Sequence, residues 1–162
     1  MNESHLTEDQ TLKLQGLLDI ISREVAVLKK TADLIPEHIS DDWIKAIDTD
    51  IHRGNLIEAF SARHSRLQDT LGDKLLPFLL QLNKEPTGTA IDNINRAERL
   101  GWINQASNWR EWRTLRNQLV HEYFQDKTRL KNSVQRALLC MQELFYSADA
   151  MTTAAQKILG KH

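Results

Sequence analysis

The stretch LRNQLVHEY, from Leu115 to Tyr123, contains four polar side chains with different chemistry: Arg116, Asn117, His121 and Tyr123. Histidine can accept or release a proton near neutral pH, because its unperturbed pKa is about 6.5. Arginine keeps its positive charge and can bind a phosphate through two parallel hydrogen bonds. The stretch therefore combines a proton-transfer group with an anion-binding group.

Helical geometry predicts how these groups are arranged. In a helix, Arg113, Asn117 and His121 form one row at intervals of four residues, and Arg116 and Tyr123, seven apart, return to nearly the same face. The stretch lies just before Asp126, where the helix is expected to end, so its polar groups can point into a cleft. The alternative is that they form only a solvated, hydrogen-bonded helix end.

The charge distribution adds to this pattern. The formal net charge is −1, but residues 1–50 contain eleven acidic and five basic residues, whereas residues 96–136 contain nine basic and four acidic residues. Arg110, Arg113 and Arg116 make a basic ridge within the second segment. A local positive field of this kind can attract phosphates. The alternative is that the charges cover solvated helix faces.

The elements that must position these residues are predicted to be helices. Breakers divide the chain into helical stretches at about 6–33, from Trp43 to about residue 54, at 56–82, from Ile91 to a pause near Gly101, at 104–122 and at 127–158. Asp41 or Asp42 is expected to cap the second stretch, Gly54 and Asn55 to interrupt it, and Pro77 to kink the third or to start a new turn in it.

Apolar residues recur at three- and four-residue steps in the first and last of these stretches. The predicted inner stripes are Leu12, Leu14, Leu17, Leu18, Ile21, Val25 and Leu28 in the first, and Leu130, Val134, Leu138, Met141, Phe145, Ala148 and Met151 in the last. No alternating segment suggests a strand. The predicted fold is all-α, an antiparallel bundle of four to five helices that forms one domain over residues 1–162.

Several other kinds of site are not predicted. The sequence has no CxxC, no HExxH and no Gly-rich phosphate loop, and its six histidines lack the spacing of metal ligands. No metal and no cofactor is therefore expected. Cys140 is assigned to the core, and Trp102, Trp109 and Trp112 are assigned to packing rather than to base stacking.

The expected compartment is the cytoplasm. The chain has one cysteine, so no intrachain disulfide can form, and the polar N-terminal stretch MNESHLTEDQ does not have the pattern of a signal peptide. No apolar run approaches the ~20 residues that a membrane span needs.

The residues that carry the chemistry also carry a family resemblance. RNQLVHEY resembles the R-x-x-x-x-H signature of HEPN-domain proteins, and through Arg116, His121 and Tyr123 it is similar to the longer R-x-x-x-x-H-x-Y form of HepT toxins. The stretch IEAFSARHSRLQDTLGDKLLPFLLQL, residues 57–82, resembles the long helix that precedes that motif in HepT-like proteins.

The resemblance implies a homodimeric, metal-independent endoribonuclease that cleaves RNA, with transfer RNA as one possible substrate. It implies that Arg116 and His121 of both subunits are catalytic and share one cleft, and that Asn117 orients the histidine or contacts the phosphate. It also implies a toxin of a type VII-like toxin–antitoxin pair, whose partner is a minimal nucleotidyltransferase (MNT) antitoxin. That antitoxin would add AMP to the motif tyrosine, here Tyr123, and the added negative charge beside Arg116 would block an RNA phosphate.

Three further residues are expected to bind substrate. Arg113 belongs to the basic ridge, and Arg66 and Asp69 lie three apart on the long helix, from which they can reach the cleft. The alternative for Arg66 and Asp69 is an ordinary surface ion pair between the two side chains. His64, two residues before Arg66, points elsewhere and is not predicted to be a site residue.

Two other functions stay open at this point. One is a non-catalytic HEPN module that binds substrate for a nucleotidyltransferase. The other is a purely structural helical protein in which RNQLVHEY is a helix end. Both of the HEPN hypotheses require a nucleotidyltransferase partner, and the structural hypothesis does not.

Overall fold

The computed structural model of the chain describes residues 5–121 and 125–160, except for the side chains of Val120 and His121. Every regular element in these two ranges is helical, and no strand occurs in them. The all-α expectation is confirmed.

The described residues form six helical segments. They are α1 (Glu8–Asp33), α2 (Asp41–Lys45) continued by a 3₁₀ turn (Ala46–Asp48), a long segment built from α3 (Ile51–Asp69), a π turn (Thr70–Leu75) and α4 (Leu76–Leu82), then α5 (Ala90–Arg99), α6 (Ala106–His121) and α7 (Lys127–Leu159). This count is slightly above the four to five helices expected.

The second segment differs from its prediction. Its cap is Ser40, whose Oγ accepts a hydrogen bond from the Trp43 backbone nitrogen at 3.1 Å, and the helix begins at Asp41. Asp41 and Asp42 lie in the first turn instead, where a carboxylate favours the positive end of the helix dipole. The expected helix from Trp43 to residue 54 is wrong, because α2 ends at Lys45.

The long segment is also more continuous than expected. Asp50 caps α3 by accepting hydrogen bonds from the backbone nitrogens of His52 and Arg53, so the helix begins before Gly54, which is buried inside it. Gly54 therefore does not interrupt the helix. Pro77 lies at the start of α4, directly after the π turn, where its missing N–H is tolerated.

The core positions of α1 follow the predicted stripe with one exception. Leu14, Leu17, Ile21 and Leu28 are buried, and Leu18 and Val25 pack partly buried against the core. Leu12 is 61% exposed, so its assignment to the inner face is wrong. Its step from Leu14 is only two residues, and a helix places such residues on different faces.

The long α7 is the common contact of the described elements. It contacts α1, α2, α3, α4 and α6, while α6 also contacts α3 and α5. All seven residues of its predicted stripe are buried or pack against the core. Asp126 caps α7 by accepting a hydrogen bond from the Arg129 backbone nitrogen at 3.1 Å, which places the helix start where it was expected. No helix in the described ranges is long and apolar enough to cross a membrane.

Candidate active site

The helix that carries the motif, α6, is anchored by four large apolar side chains. Trp109, Trp112, Leu115 and Leu119 are all buried, and the two tryptophan rings lie 5.3 Å apart between centroids. The assignment of Trp109 and Trp112 to packing is confirmed, and Trp102 is buried as well. Since these residues fix one face of α6, its basic face is held in a defined direction.

Two ion pairs join the basic face of α6 to the long segment. The Arg116 guanidinium donates to Asp69 at the end of α3, and the Arg113 guanidinium donates to Asp73 in the π turn at 2.7 Å. The earlier arginine on α6 pairs with the later aspartate of the long segment, and the later arginine pairs with the earlier aspartate. This is the arrangement of two antiparallel helices. Asp69 is therefore brought to Arg116, and the expected alternative, an ion pair between Arg66 and Asp69, is not formed.

The π turn is where α6 approaches the long segment closely. A Cβ placed on Gly72 would lie 3.2 Å from Trp109 Cζ2 and 3.3 Å from its Nε1. Only a residue without a side chain lets the buried indole pack this near to the turn. This contact positions α6 one turn before Arg113, and it therefore helps to set both ion pairs.

Both ion pairs keep part of their surface in solvent. The side chains of Arg116 and Asp69 are 37% and 34% exposed, and those of Arg113 and Asp73 are 41% and 51% exposed. Pairs with this much solvent contact contribute little stability, on the order of 1 kcal/mol or less. A phosphate can therefore approach either guanidinium without breaking a strong buried interaction.

The remaining motif residues are placed as follows. Asn117 is exposed on α6, one turn after Arg113. His121 is the last residue of α6, so Arg113, Asn117 and His121 lie on one continuous helix. The side chain of His121 and the whole of Tyr123 lie outside the described residues.

Sequence reasoning missed a partly buried carboxyl group close to this site. Glu24 of α1 accepts a hydrogen bond at 3.0 Å from the hydroxyl of Thr70, the residue directly after Asp69. Burial raises the pKa of Glu24, while the Thr70 hydrogen bond and the positive charge of Arg66 partly counteract this rise. A signal was present in the sequence, because Glu24 lies between Ile21 and Leu28 at helical spacing on the inner edge of α1.

Two other ionisable groups are explained by the core. His64 is 1% exposed, and burial lowers its pKa to about 4, so it cannot exchange protons near neutral pH as an accessible acid or base. Its exclusion from the site agrees with this burial. Cys140 is half-buried against the core, and burial raises the pKa of its thiol. Its assignment to the core holds in this partly buried form.

In residues 5–121 and 125–160, no three His, Cys, Asp or Glu side chains converge in a way that could hold a metal ion.

No family model, no curated protein and no solved structure matches this chain.

Proposed function

We propose that the protein is a metal-independent endoribonuclease, the toxin of a HEPN/MNT toxin–antitoxin pair. The observation that carries the proposal is the partly exposed Arg116 guanidinium, which donates a hydrogen bond to Asp69 of α3. Arg116 lies on α6, the same helix as His121. Arg113 and the exposed Asn117 extend a basic, hydrogen-bonding surface beside it. This is an arrangement that can receive a phosphodiester and place a proton-transfer group near it.

In this proposal the helices form an antiparallel bundle, and two copies associate so that both α6 helices face one cleft. The reason is chemical. Cleavage by the 2′-hydroxyl needs one group that takes a proton and one that gives a proton, and each chain supplies a single motif histidine. A twofold axis would bring two copies of His121 to the same phosphate.

The reaction then balances within the cleft. One His121 takes the proton of the 2′-hydroxyl, and the 2′-oxygen forms a bond to phosphorus. The bond from phosphorus to the 5′-oxygen breaks, and the second His121 gives that oxygen a proton. Arg116 stabilises the additional negative charge on the phosphoryl oxygens during this step. The products are a 2′,3′-cyclic phosphate and a free 5′-hydroxyl.

The proposed control acts at Tyr123. A nucleotidyltransferase antitoxin would add AMP to its hydroxyl, and the added phosphate would compete with RNA for Arg116. Asp69 and Arg113 would then affect both the unmodified and the AMP-modified protein, since Asp69 positions the Arg116 guanidinium and Arg113 adds positive charge near it.

The test is RNA cleavage with a chelator present, using total transfer RNA as substrate. Wild-type protein is compared with His121→Ala and with the matched control His38→Ala, which removes an exposed histidine from the loop between α1 and α2. We expect cleavage by wild type and by His38→Ala, and none by His121→Ala.

Equal cleavage by all three proteins would overturn the proposal. Absence of cleavage by an unmodified wild-type protein, established from its intact mass, would also overturn it. In that case a nucleotidyltransferase recovered in a pull-down from the native host would support the non-catalytic HEPN module instead.

A further inference from the structure

A second basic site lies between α1 and α3. A cavity of about 130 Å³ between α1 and α3 is lined by Arg23, Glu24, Val27, Arg63 and Arg66. Three of its five lining residues are arginines, and one is a carboxyl group. The cavity is therefore built mainly from groups that attract an anion.

The three arginines of the cavity differ in their hydrogen-bond and ion-pair partners. Arg63 is fixed by a hydrogen bond of 2.5 Å from its guanidinium to the hydroxyl of Thr31. Arg66 is exposed, and in the part of the chain that the structure describes no carboxylate lies within ion-pair distance of it. Arg23 pairs with Asp19 at 2.9 Å in an open surface pair. Arg63 and Arg66 thus offer charge that no described carboxylate neutralises by direct contact.

Glu24 does not cancel this charge fully. One carboxyl oxygen accepts the hydrogen bond from Thr70, and the other is buried and has no hydrogen-bond partner among the described residues. Since burial raises the pKa of Glu24, the group takes up a proton more readily than an exposed glutamate does. A protonated Glu24 can donate a hydrogen bond to an anion in the cavity.

The cavity is connected to Arg116 through two consecutive residues. Asp69 pairs with Arg116 on the α6 side, and Thr70 contacts Glu24 on the α1 side. Arg66 precedes Asp69 by three residues, a rise of about 4.5 Å along the helix axis. Arg66 and the partner of Arg116 are therefore separated by less than one turn of α3.

We propose that Arg63 and Arg66, with Arg23 at the rim, bind a phosphodiester of the RNA strand next to the one held at Arg116. This inference rests on the proposed function and adds a second phosphate position on the α1 side of α3. Val27, which is 41% exposed, provides apolar surface for the attached nucleoside. The strand crosses the end of α3 rather than following α6.

The test measures binding rather than cleavage. The ligand is a 2′-O-methyl RNA oligonucleotide, which lacks the attacking hydroxyl and stays intact. Wild type is compared with Arg63→Ala/Arg66→Ala and with Arg99→Ala/Lys157→Ala, which removes two exposed charges elsewhere. We expect the first variant to lose about tenfold in affinity at low salt and its salt slope to fall by about 0.7, the value for one phosphate contact on a single strand. The control variant should match wild type.

Unchanged affinity and salt slope in Arg63→Ala/Arg66→Ala would overturn the inference. If that variant has a lowered melting temperature, Arg66→Gln replaces it, because Arg66 is exposed and its substitution leaves the core intact. A titration with inorganic phosphate alone separates the two sources of the anion. Phosphate binding that depends on Arg66, with unchanged oligonucleotide binding, would assign the cavity to free phosphate and overturn the strand path.

Failure of this inference is distinguishable from failure of the proposed function. His121→Ala should lose cleavage, while the dependence of its oligonucleotide binding on Arg63 and Arg66 should persist, since these two arginines lie on α3 and the motif lies on α6. If binding depends on Arg63 and Arg66 but the protein cuts no RNA, the proposed nuclease function is rejected and the second phosphate position is supported. If cleavage depends on His121 but binding does not depend on Arg63 and Arg66, the second phosphate position is rejected and the nuclease function is supported.

Discussion

Asp69 accepts a hydrogen bond from the Arg116 guanidinium across the contact between α3 and α6. The same carboxylate therefore fixes the direction of the arginine and partly neutralises its charge. These two effects have opposite consequences for an RNA phosphate. Positioning favours the reaction, whereas the negative charge of Asp69 weakens anion binding.

Asp69→Asn should separate the two effects. The amide removes the negative charge but holds the guanidinium less firmly, so we expect RNA to bind several-fold more tightly and the cleavage rate at saturation to fall about tenfold, the loss of about 1.4 kcal/mol of transition-state stabilisation. Single-turnover cleavage over a range of protein concentrations gives both constants.

The matched control for this prediction is Asp73→Asn. It removes the same charge from the neighbouring ion pair with Arg113, where the aspartate is 51% exposed against 34% for Asp69. We expect tighter RNA binding there also, with the cleavage rate nearly unchanged. Equal cleavage rates for the two variants would show that Asp69 has no specific positioning role.

Tyr123→Phe should escape modification. Co-expression with the proposed nucleotidyltransferase antitoxin should increase the intact mass of the wild-type chain by one or more AMP groups, and the substitution should prevent this because phenylalanine has no hydroxyl to modify. Tyr146→Phe is the control, since Tyr146 is 50% exposed on α7 and its hydroxyl donates to the Gly101 carbonyl at 3.2 Å. An AMP adduct that persists in Tyr123→Phe would place the modification at another residue.

Gly72→Ala should destabilise the fold and lower the activity together. The added methyl group would lie 3.2 Å from Trp109, which is fully buried, so we expect a loss of about 1–3 kcal/mol in the free energy of unfolding. Denaturant unfolding measures this loss. Because α6 must shift away from the π turn, RNA cleavage should fall at temperatures where the variant is still folded.

Gly16→Ala provides the opposite result under the same substitution. Gly16 lies in the interior of α1, and a Cβ there would have no atom within 4 Å. Alanine should stabilise the helix by about 0.5–1 kcal/mol, because glycine loses more backbone entropy on folding. Equal stability changes at positions 16 and 72 would mean that the contact with Trp109 is unimportant.

The parts of the fold that depend on local pattern were predictable from the sequence. The periodic apolar residues of α1 and α7 identified their core faces, apart from Leu12, and Asp126 and Gly101 marked helix boundaries, Gly101 with a positive φ of 78°. These signals are local, since each depends on residues within one or two turns. Ser40 was missed as a cap although it directly precedes two acids that appeared equally suitable.

The contacts within the candidate site were harder to predict from the sequence. The close approach of Trp109 to Gly72 in the π turn joins two residues far apart in the chain, and periodicity carries no information about such a contact. The pairing of Asp69 with Arg116 was not predictable for the same reason. The sequence suggests only the local partner Arg66, three residues away, whereas the observed pair depends on the tertiary packing of α3 against α6. The motif itself was visible because its residues are adjacent in sequence.

Stability should decrease in mild acid because of His64. Its pKa is about 4 in the folded protein and 6.5 in its ordinary state, so the unfolded chain takes up a proton first as the pH falls. The stabilising contribution is complete above pH 6.5 and is lost progressively as the pH falls through about 4. The loss is about 3 kcal/mol, at about 1.4 kcal/mol for each pKa unit.

His64→Leu should remove this dependence, because leucine is apolar and does not titrate. The measurement is the free energy of unfolding by denaturant at several pH values between 7 and 4, with wild type minus variant as the quantity of interest. This difference cancels the contribution of Glu24, whose raised pKa acts with the opposite sign and is lost as the pH rises through its folded-state value. His38→Ala, an exposed histidine, should leave the wild-type profile unchanged. A wild-type profile in His64→Leu would assign the acid sensitivity to other groups and would show that His64 can be protonated within the core.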